Sequence, residues 1–371
     1  MLPSTLLDVF YEKILGFGKS KFWFLFPSLV FLFVVLINGV GIVLEAPYQR
    51  LSENPFITRT DIHFNNYWQE NPLLPIIAFY LRQTSSLTFN ILCFVIIFGA
   101  YALFTGLTAR HWGSTQSLIF STLLITSPLT TIFLCWLGTP DGLTVLLTIP
   151  FLFLRSSPLA FCLAFLGMVN HPTFAIAIIE ILTLRALRHS GIGTKHFIAT
   201  AIGIILGYGF IKFFLEINAI DIFSRFDFMQ LKSLDEWVKM NIRNLPMSLL
   251  SLFSIHWLIF ATCMVMFFKR NKRFYSLALL MLVVNYGIVF FTLDTTRVFI
   301  LISWGILFEC IFYSYELTAD NENQMIARKQ FLQALILIGV ISFVTPRYFS
   351  WAGEIHTTPF YEFIRHLTRL L

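Results

Sequence analysis

The stretch WFLFPSLVFLFVVLINGVGIVL occupies residues 23–44 and carries no charged side chain over its 22 positions. A helix needs about 20 mostly apolar residues to cross the hydrocarbon core of a bilayer. The stretch is longer than the apolar core of a signal peptide, and no obvious small-residue cleavage site follows it. Lys13, Lys19 and Lys21 precede it, and basic residues before a first span favour the cytoplasmic side. We therefore predict an uncleaved membrane anchor with a cytoplasmic N-terminus.

The composition extends this interpretation to the whole chain. Of its 371 residues, 57% are hydrophobic, 43 are Phe and only 12% are charged, whereas soluble domains carry about 25% charged residues. Folding buries at most about three quarters of a chain's surface, so this apolar content excludes a soluble enzyme and a disordered scaffold. The net charge is +6, but the cations are scattered between apolar runs, as in the cytoplasmic loops of membrane proteins. We predict an all-α polytopic integral membrane protein that contacts membrane lipid and binds no nucleic acid.

Further apolar runs predict the other crossings. One run, 158–184, has cations at both ends and a polar break at Asn170-His171-Pro172, so we predict that it crosses twice as a short re-entrant pair. Residues 1–371 then form a single transmembrane domain of about 11 transmembrane helices. The remaining runs lie near 84–106, 115–135, 138–154, 197–215, 247–268, 275–292, 298–315 and 331–346.

The charge pattern also assigns the two faces of the membrane. The cation-rich stretch 269–273 marks the cytoplasmic face, and most carboxylates fall on the opposite one. That outer face is predicted to hold a first outer loop at 45–83, a second long outer loop at 216–246 and an outer C-terminal tail at 346–371. Apolar residues at helical spacing predict an amphipathic loop helix over 228–243 on the outer surface. Functional chemistry is therefore expected on the outer face.

The first half of the chain carries a recognisable layout. The first outer loop holds Asp61 and leads into NPLLP at 71–75, which starts an apolar helix. A later helix ends at WLGTPD, residues 136–141, before the broken pair at 158–184. This layout, over roughly residues 20–190, resembles the GT-C-type membrane glycosyltransferases of the ArnT-like and protein-mannosyltransferase-like kinds. In those proteins a His-Pro-Pro-Leu-like helix start follows a loop carboxylate; here Asn and Leu replace the His and the second Pro.

The resemblance implies a GT-C-like fold and a place in the bacterial inner membrane. It implies a polyprenyl-phosphate-linked sugar as the donor, with the sugar passed to a lipid, glycan or protein acceptor on the outer face. The sugar would be inverted at its anomeric carbon, and a carboxylate of the first outer loop would activate the acceptor. Whether a divalent cation takes part is left open.

Asp61 is the predicted catalytic residue. Glycosyl transfer needs a base that takes the hydroxyl proton of the acceptor, and a carboxylate within hydrogen-bond reach suits that task. In the same loop, His63, Asn65 and Glu70 are predicted to bind the substrate. The alternative is that Asp61 only caps a short helix.

Four later residues complete the predicted substrate site. Arg297 is predicted to hold the lipid phosphate, because its planar fork matches phosphate oxygens; the alternative is an ion pair with Asp294. Asp141 and Asp294 lie in short polar turns that would face the same outer cavity, although Asp141 also suits a turn and a helix cap. His171, at the break before Pro172, is predicted to bind phosphate or a sugar hydroxyl. The alternative for His171 is a buried side chain bonded to backbone carbonyls.

Two other function classes stay open. A transporter or flippase of a lipid-linked substrate would use intramembrane acids such as Glu180 and Glu309 as a proton relay. A polysaccharide polymerase or ligase would place arginines in a late outer loop, and the loop at 216–246 contains Arg225 and Arg243. No internal repeat is clear, and the charges cluster outside the membrane midplane, which favours a glycosyltransferase over a transporter.

Overall fold

The computed structural model describes residues 6–41, 47–60, 64–189, 191–230, 232–318 and 322–362. Helices dominate these ranges. Short 3₁₀ helices cover Phe64–Glu70, Ile149–Leu152 and Ser254–His256, and two strands form β1 (Tyr348–Trp351) and β2 (Glu354–Thr357). The α-helices are α1 (Leu6–Gly18), α2 (Leu25–Asn38), α3 (Pro47–Glu53), α4 (Leu73–Tyr80), α5 (Ser86–Trp112), α6 (Ser114–Thr126), α7 (Pro128–Cys135), α8 (Asp141–Thr148), α9 (Ser157–Asn170), α10 (Thr173–Arg188), α11 (Thr194–Ile217), α12 (Arg225–Gln230), α13 (Leu234–Ile242), α14 (Leu245–Phe253), α15 (Trp257–Phe267), α16 (Lys272–Val289), α17 (Thr295–Glu316) and α18 (Glu322–Val344).

Six helical segments among the described residues are long and apolar enough to cross a membrane. Helices α6 and α7 make a seventh if the pair, bent by 48°, is one span, and α2, α9 and the segment Asp141–Leu152 are apolar but shorter. This confirms the predicted all-α class and membrane-spanning character, while the count of about 11 crossings stays a prediction. The six segments are Ser86–Trp112, Thr194–Ile217, Leu245–Phe267, Lys272–Val289, Thr295–Glu316 and Met325–Val344.

Helix α17 forms the centre of the bundle. In its most apolar stretch 89% of the residues are buried, against 33–39% in the other five segments. Helices α7, α10, α14, α15 and α16 pack around it. The outer helices leave large apolar side chains exposed, among them Val95, Ile205 and Val265. A fully covered central helix and apolar outward faces are what a helical bundle in lipid requires.

Three helix breaks interrupt the long apolar runs. Pro128 begins α7 directly after the break from α6, and Pro172 lies in the break between α9 and α10 that the sequence predicts. Proline has no N–H to donate to the preceding turn, so it interrupts a helix. The break between α14 and α15 has Ser254 at φ +51°, a region that residues other than glycine rarely adopt. The second break leaves His171 at a helix end, and not within a helix.

One end of the bundle, called the loop end below, brings together both long loops and the C-terminal hairpin. Thr58 Oγ1 donates to the carbonyl of Ala219 (3.2 Å), which joins the first loop to the second. The amide of Ala352 donates to the carbonyl of Leu293 (2.7 Å), which joins the hairpin to the residues before α17. Ala352 and Gly353 both have positive φ, at 52° and 76°, as a two-residue type I′ hairpin turn requires. The predicted outer tail therefore begins with a β-hairpin, an exception to the all-α expectation.

The predicted amphipathic helix over 228–243 is not one helix. Helix α12 ends at Gln230 and α13 starts anew at Leu234. Ser233 Oγ accepts the amide of Glu236 (3.3 Å), and the Glu236 carboxylate accepts the amide of Ser233 (2.7 Å). This reciprocal capping box starts a helix, so the prediction of a continuous helix is wrong.

The opposite end of the bundle carries a buried ionic cluster. Arg188 Nη1 donates to Glu309 Oε2 (2.7 Å), and both side chains are buried. Arg188 Nε also lies 3.2 Å from Glu316 Oε2. These contacts tie α10 to the central helix α17. Glu309 therefore has a cationic partner from another helix, which spacing along its own helix does not reveal.

Candidate functional site

A cavity of about 310 Å³ lies at the loop end, beside the start of α17. Its polar residues stand at helix ends. Two apolar lining residues lie further into the bundle: Leu301 comes four residues after Arg297 on α17, and Ile176 lies on α10, which begins after His171 and Pro172. The lining includes charged or polar residues (His171, Thr173, Arg225, Asp294, Arg297), aromatic residues (Tyr48, Tyr67, Trp68, Trp136, Trp351) and apolar residues (Ile176, Met229, Ile288, Phe291, Leu301).

Arg297 joins two aspartates beside this cavity. Its Nε and Nη2 donate to Oδ2 (2.6 Å) and Oδ1 (3.0 Å) of Asp141, which makes a bidentate pair. Its Nη1 donates to Oδ2 of Asp294 (3.0 Å). Asp141 is the first residue of α8, whose N-cap is Pro140, and both of its carboxylate oxygens accept from Arg297, so the alternative that it caps a helix is wrong. The expected Asp294–Arg297 ion pair is present. Two carboxylates facing one guanidinium leave this group with a net negative charge.

Asp294 differs from Asp141 in its exposure. The Asp141 side chain is 1% exposed and that of Asp294 is 21% exposed. Oδ1 of Asp294 is buried and accepts no hydrogen bond from the described residues. Burial raises the pKa of Asp294; Arg297 opposes this shift, and the neighbouring Asp141 carboxylate adds to it. Asp294 is therefore the acid of the pair that retains an unused oxygen and contact with the cavity.

His171 presents one ring nitrogen to its own helix. Its Nδ1 lies 2.6 Å from Thr173 Oγ1 and accepts the amide of Thr173 (3.3 Å). Because Nδ1 accepts an N–H, the neutral ring carries its proton on Nε2. The alternative that backbone carbonyls hold this side chain is wrong, since both contacts are with Thr173. His171 lines the cavity and offers it an N–H donor.

Arg225 lines the cavity, although the sequence indicates a role for it only in the alternative of a polymerase or ligase. It lies on α12, and its guanidinium carbon is 5.4 Å from the ring centre of Tyr67. Its Nε is 3.4 Å from Oε2 of Glu70, but the geometry makes no hydrogen bond. Arg225 thus spans the two loops at the cavity. Its place in the long polar loop was the available signal, but the residue that it faces was not predictable.

Several polar atoms of the lining have unused hydrogen-bonding capacity. The indole nitrogens of Trp68 and Trp136, Nε of Arg225 and Oδ1 of Asp294 are buried without a hydrogen-bond partner in the part of the chain that the structure describes. Buried polar groups in native proteins nearly always have a partner. Four such atoms on residues of one cavity are available for hydrogen bonds with a polar ligand.

The sequence-predicted residues divide into three groups. Asp141, His171, Asp294 and Arg297 come together at the cavity, and Glu70 reaches it through Arg225. Asn65 lies in the 3₁₀ helix Phe64–Glu70. Asp61 and His63 lie outside the described residues, so their roles stay predictions. Within the described ranges no cluster of three or more His, Cys, Asp or Glu side chains is suited to a metal ion, and the requirement for a divalent cation stays open.

Comparison with known proteins assigns this chain to no family, so its function is inferred from the cavity. No protein-family model, curated protein or solved structure matches this chain.

Proposed function

We propose that the protein transfers a sugar from a polyprenyl-phosphate-linked donor to a lipid, glycan or protein acceptor on the outer face of the membrane. The observation that carries the proposal is the composition of the cavity: unpaired polar atoms, five Tyr and Trp side chains, and apolar residues. A lipid-linked sugar has three corresponding parts, a phosphate, a ring with hydroxyls and a hydrocarbon tail. Pockets that fix a ligand by a few polar groups within an apolar lining are typical binding sites.

The phosphate is assigned to Arg225. Arg297 already faces two carboxylates, so a phosphate there would meet a net negative group. Among the described residues, Glu70 is the one acid within ion-pair distance of Arg225, at 3.4 Å and without a hydrogen bond, and Nε of Arg225 is unpaired there. A guanidinium can bind a phosphate through two parallel hydrogen bonds. This reassigns the predicted phosphate contact from Arg297 to Arg225.

The sugar and the tail are assigned to the rest of the lining. Trp and Tyr combine a flat apolar face with a polar group at the edge, which suits a pyranose ring, and the free indole N–H groups of Trp68 and Trp136 can donate to its hydroxyls. Ile176 and Leu301 lie further along α10 and α17, away from the loop end. A prenyl chain placed along them would leave the cavity towards lipid.

The location of the cavity also supports a GT-C-like layout. Trp136 and His171 belong to two of the stretches that carry the resemblance, and both line the cavity. Asp61, which the sequence predicts as the base, lies outside the described residues and contributes no observation to this proposal.

Binding of farnesyl phosphate, a short-chain prenyl phosphate, tests the proposal. Arg225→Gln should weaken binding by about ten- to a hundredfold, because charged hydrogen bonds contribute about 1.5–3 kcal/mol, and Arg225→Lys should bind with intermediate affinity. Arg243→Gln is the matched control, since Arg243 is an exposed arginine of the same loop. The proposal fails if Arg225→Gln binds like the unaltered protein, or if farnesol binds as tightly as its phosphate.

One observation favours a transporter as the second candidate. Glu180 on α10 accepts a hydrogen bond from Asn285 of α16 (3.1 Å), and Asn285 also donates to Ser303 of α17 (2.9 Å). An acid linked to neighbouring helices inside a bundle is a candidate proton site. The test is whether an intact lipid-linked sugar moves across the membrane of proteoliposomes that contain the protein. Such movement, if Glu180→Gln abolishes it, would favour transport over sugar transfer.

A further inference from the structure

We infer that Asp294 is the proton acceptor of the transfer reaction, the carboxylate that takes the hydroxyl proton of the acceptor molecule. The inference rests on the proposed function. It identifies the general base of the sugar-transfer reaction among the described residues. The sequence alone predicts this role for Asp61, in the first loop.

The geometry selects Asp294 from the two aspartates of the site. Both oxygens of Asp141 accept hydrogen bonds from Arg297, and its side chain is 1% exposed. Asp294 uses only Oδ2 in this way, at 3.0 Å, and its side chain is 21% exposed and lines the cavity. Its Oδ1 is a buried acceptor without a donor in the described ranges. A hydroxyl group of a bound acceptor molecule would supply that missing donor.

Arg297 and Asp141 act as positioning residues in this arrangement. The bidentate pair with Asp141 fixes the guanidinium plane, because two parallel bonds leave it little freedom. The remaining Nη1 then donates to Oδ2 of Asp294. This hydrogen bond fixes the orientation of the Asp294 carboxylate, which lies at the start of α17. A base must be held within hydrogen-bond reach of the proton that it abstracts, and this chain of contacts provides such a constraint.

The charged and titratable neighbours set the proton affinity of Asp294. Arg297 from its own helix favours the charged form, while Asp141 from α8 and burial disfavour it. Tyr67, Arg225 and His171 line the same cavity from the 3₁₀ helix, α12 and the start of α10. The net effect is a pKa raised above the ordinary aspartate value, which makes the carboxylate a better proton acceptor than an exposed aspartate.

The proposed step balances without a further reactant. The acceptor oxygen forms a bond to the anomeric carbon of the donor sugar while the bond from that carbon to the phosphate oxygen breaks. The electron pair of the broken bond leaves with the prenyl phosphate. The hydroxyl proton passes to Asp294 and is released to solvent after the product departs.

The test compares turnover with donor binding in the same variants. Farnesyl-phospho-hexoses serve as donors, and the isolated cell envelope of the source organism serves as the acceptor. Asp294→Asn keeps the shape but cannot take the proton, so turnover should fall about a hundredfold while farnesyl phosphate still binds. Asp294→Glu should keep part of the activity. Asp235→Asn is the control, because Asp235 is an aspartate of the second loop that is 68% exposed.

The pH profile separates a base from a structural ion pair. A base with a raised pKa is active when deprotonated, so kcat/KM should fall as the pH drops through a value above the ordinary aspartate pKa of about 3.9. Asp294→Glu should retain this acid limb, and the residual activity of Asp294→Asn should lack it. A loss below tenfold in Asp294→Asn, or an acid limb that persists in it, overturns the inference.

Failure of the inference is distinguishable from failure of the proposed function. If the unaltered protein transfers sugar and Asp294→Asn does so at a similar rate, the base lies elsewhere and the function stands. If the unaltered protein binds no farnesyl phosphate and transfers no sugar, the proposed function itself fails and the inference falls with it.

Discussion

Arg297 holds two aspartates whose surroundings differ. Asp141 is sealed in the protein and bonded through both oxygens, whereas Asp294 keeps one oxygen unused and part of its side chain exposed. The same guanidinium therefore stabilises one carboxylate as a fixed counter-ion and positions the other at the cavity. A difference in burial, and not in residue type, assigns the structural role to Asp141.

This difference predicts unequal losses of stability. Asp141→Asn should lower the free energy of unfolding by about 3–5 kcal/mol, because it leaves a buried guanidinium without its main partner. Asp294→Asn should cost less, since its side chain is partly solvated and makes one hydrogen bond. Denaturant unfolding of the purified protein in detergent measures both. An equal or smaller loss in Asp141→Asn would contradict the assignment.

The sequence predicts these residues only in part. The Asp294–Arg297 pair follows from a spacing of three residues on one helix. The Asp141–Arg297 pair joins residues 156 positions apart, and spacing along the chain carries no information about such a contact. For the same reason the facing of Arg225 and Glu70 across two loops was not predictable.

At the scale of elements, α9 and α11 pack through small residues. A Cβ added to Gly203 would lie 2.6 Å from the carbonyl oxygen of Phe161, and one added to Gly207 would lie 2.8 Å from that of Phe165. Without a hydrophobic drive between helices in lipid, such close backbone approach supplies the packing energy. Helix α9 precedes the break at His171, so this packing supports one wall of the cavity.

Gly207→Leu should therefore destabilise the protein. The leucine would overlap the α9 backbone, and overpacking costs about 1–3 kcal/mol. Gly209→Leu is the control, because no atom lies within 4 Å of the Cβ position at Gly209 on the same helix. Thermal unfolding in detergent should give a lower midpoint for Gly207→Leu only. Equal midpoints in the two variants would argue against close packing of α9 and α11.

Helices were predictable where long apolar runs dominate, and other elements were not. The break at Asn170-His171-Pro172 and the run that became α17 follow from proline chemistry and hydropathy. The division between α12 and α13 depends on the Ser233–Glu236 capping box, which the apolar spacing of the segment obscured. The hairpin has only four residues in each strand, too few for a clear alternating pattern.

At the scale of the whole molecule, the loop end and the basic stretch 269–273 are predicted to lie on opposite sides of the membrane. Thr60→Cys and Lys269→Cys, each in a variant without native cysteines, place single thiols at exposed positions of the first loop and of the basic stretch. An impermeant thiol reagent should label Thr60→Cys from outside intact cells and Lys269→Cys only after the cells are opened. Labelling of both from the same side would contradict the charge-based orientation.

The proposed function is covalent transfer of a sugar from a lipid phosphate at the cavity of the loop end. Proteoliposomes that contain the purified protein and a radiolabelled polyprenyl-phospho-hexose, supplied with the cell envelope fraction as acceptor, test it directly. We expect the label to move from the lipid phosphate to a new acceptor, with release of polyprenyl phosphate and inversion at the anomeric carbon. Arg225→Gln and Asp294→Asn should abolish most of this transfer. Recovery of the labelled donor chemically unchanged, whether left in place or moved to the other leaflet, would contradict sugar transfer by this protein.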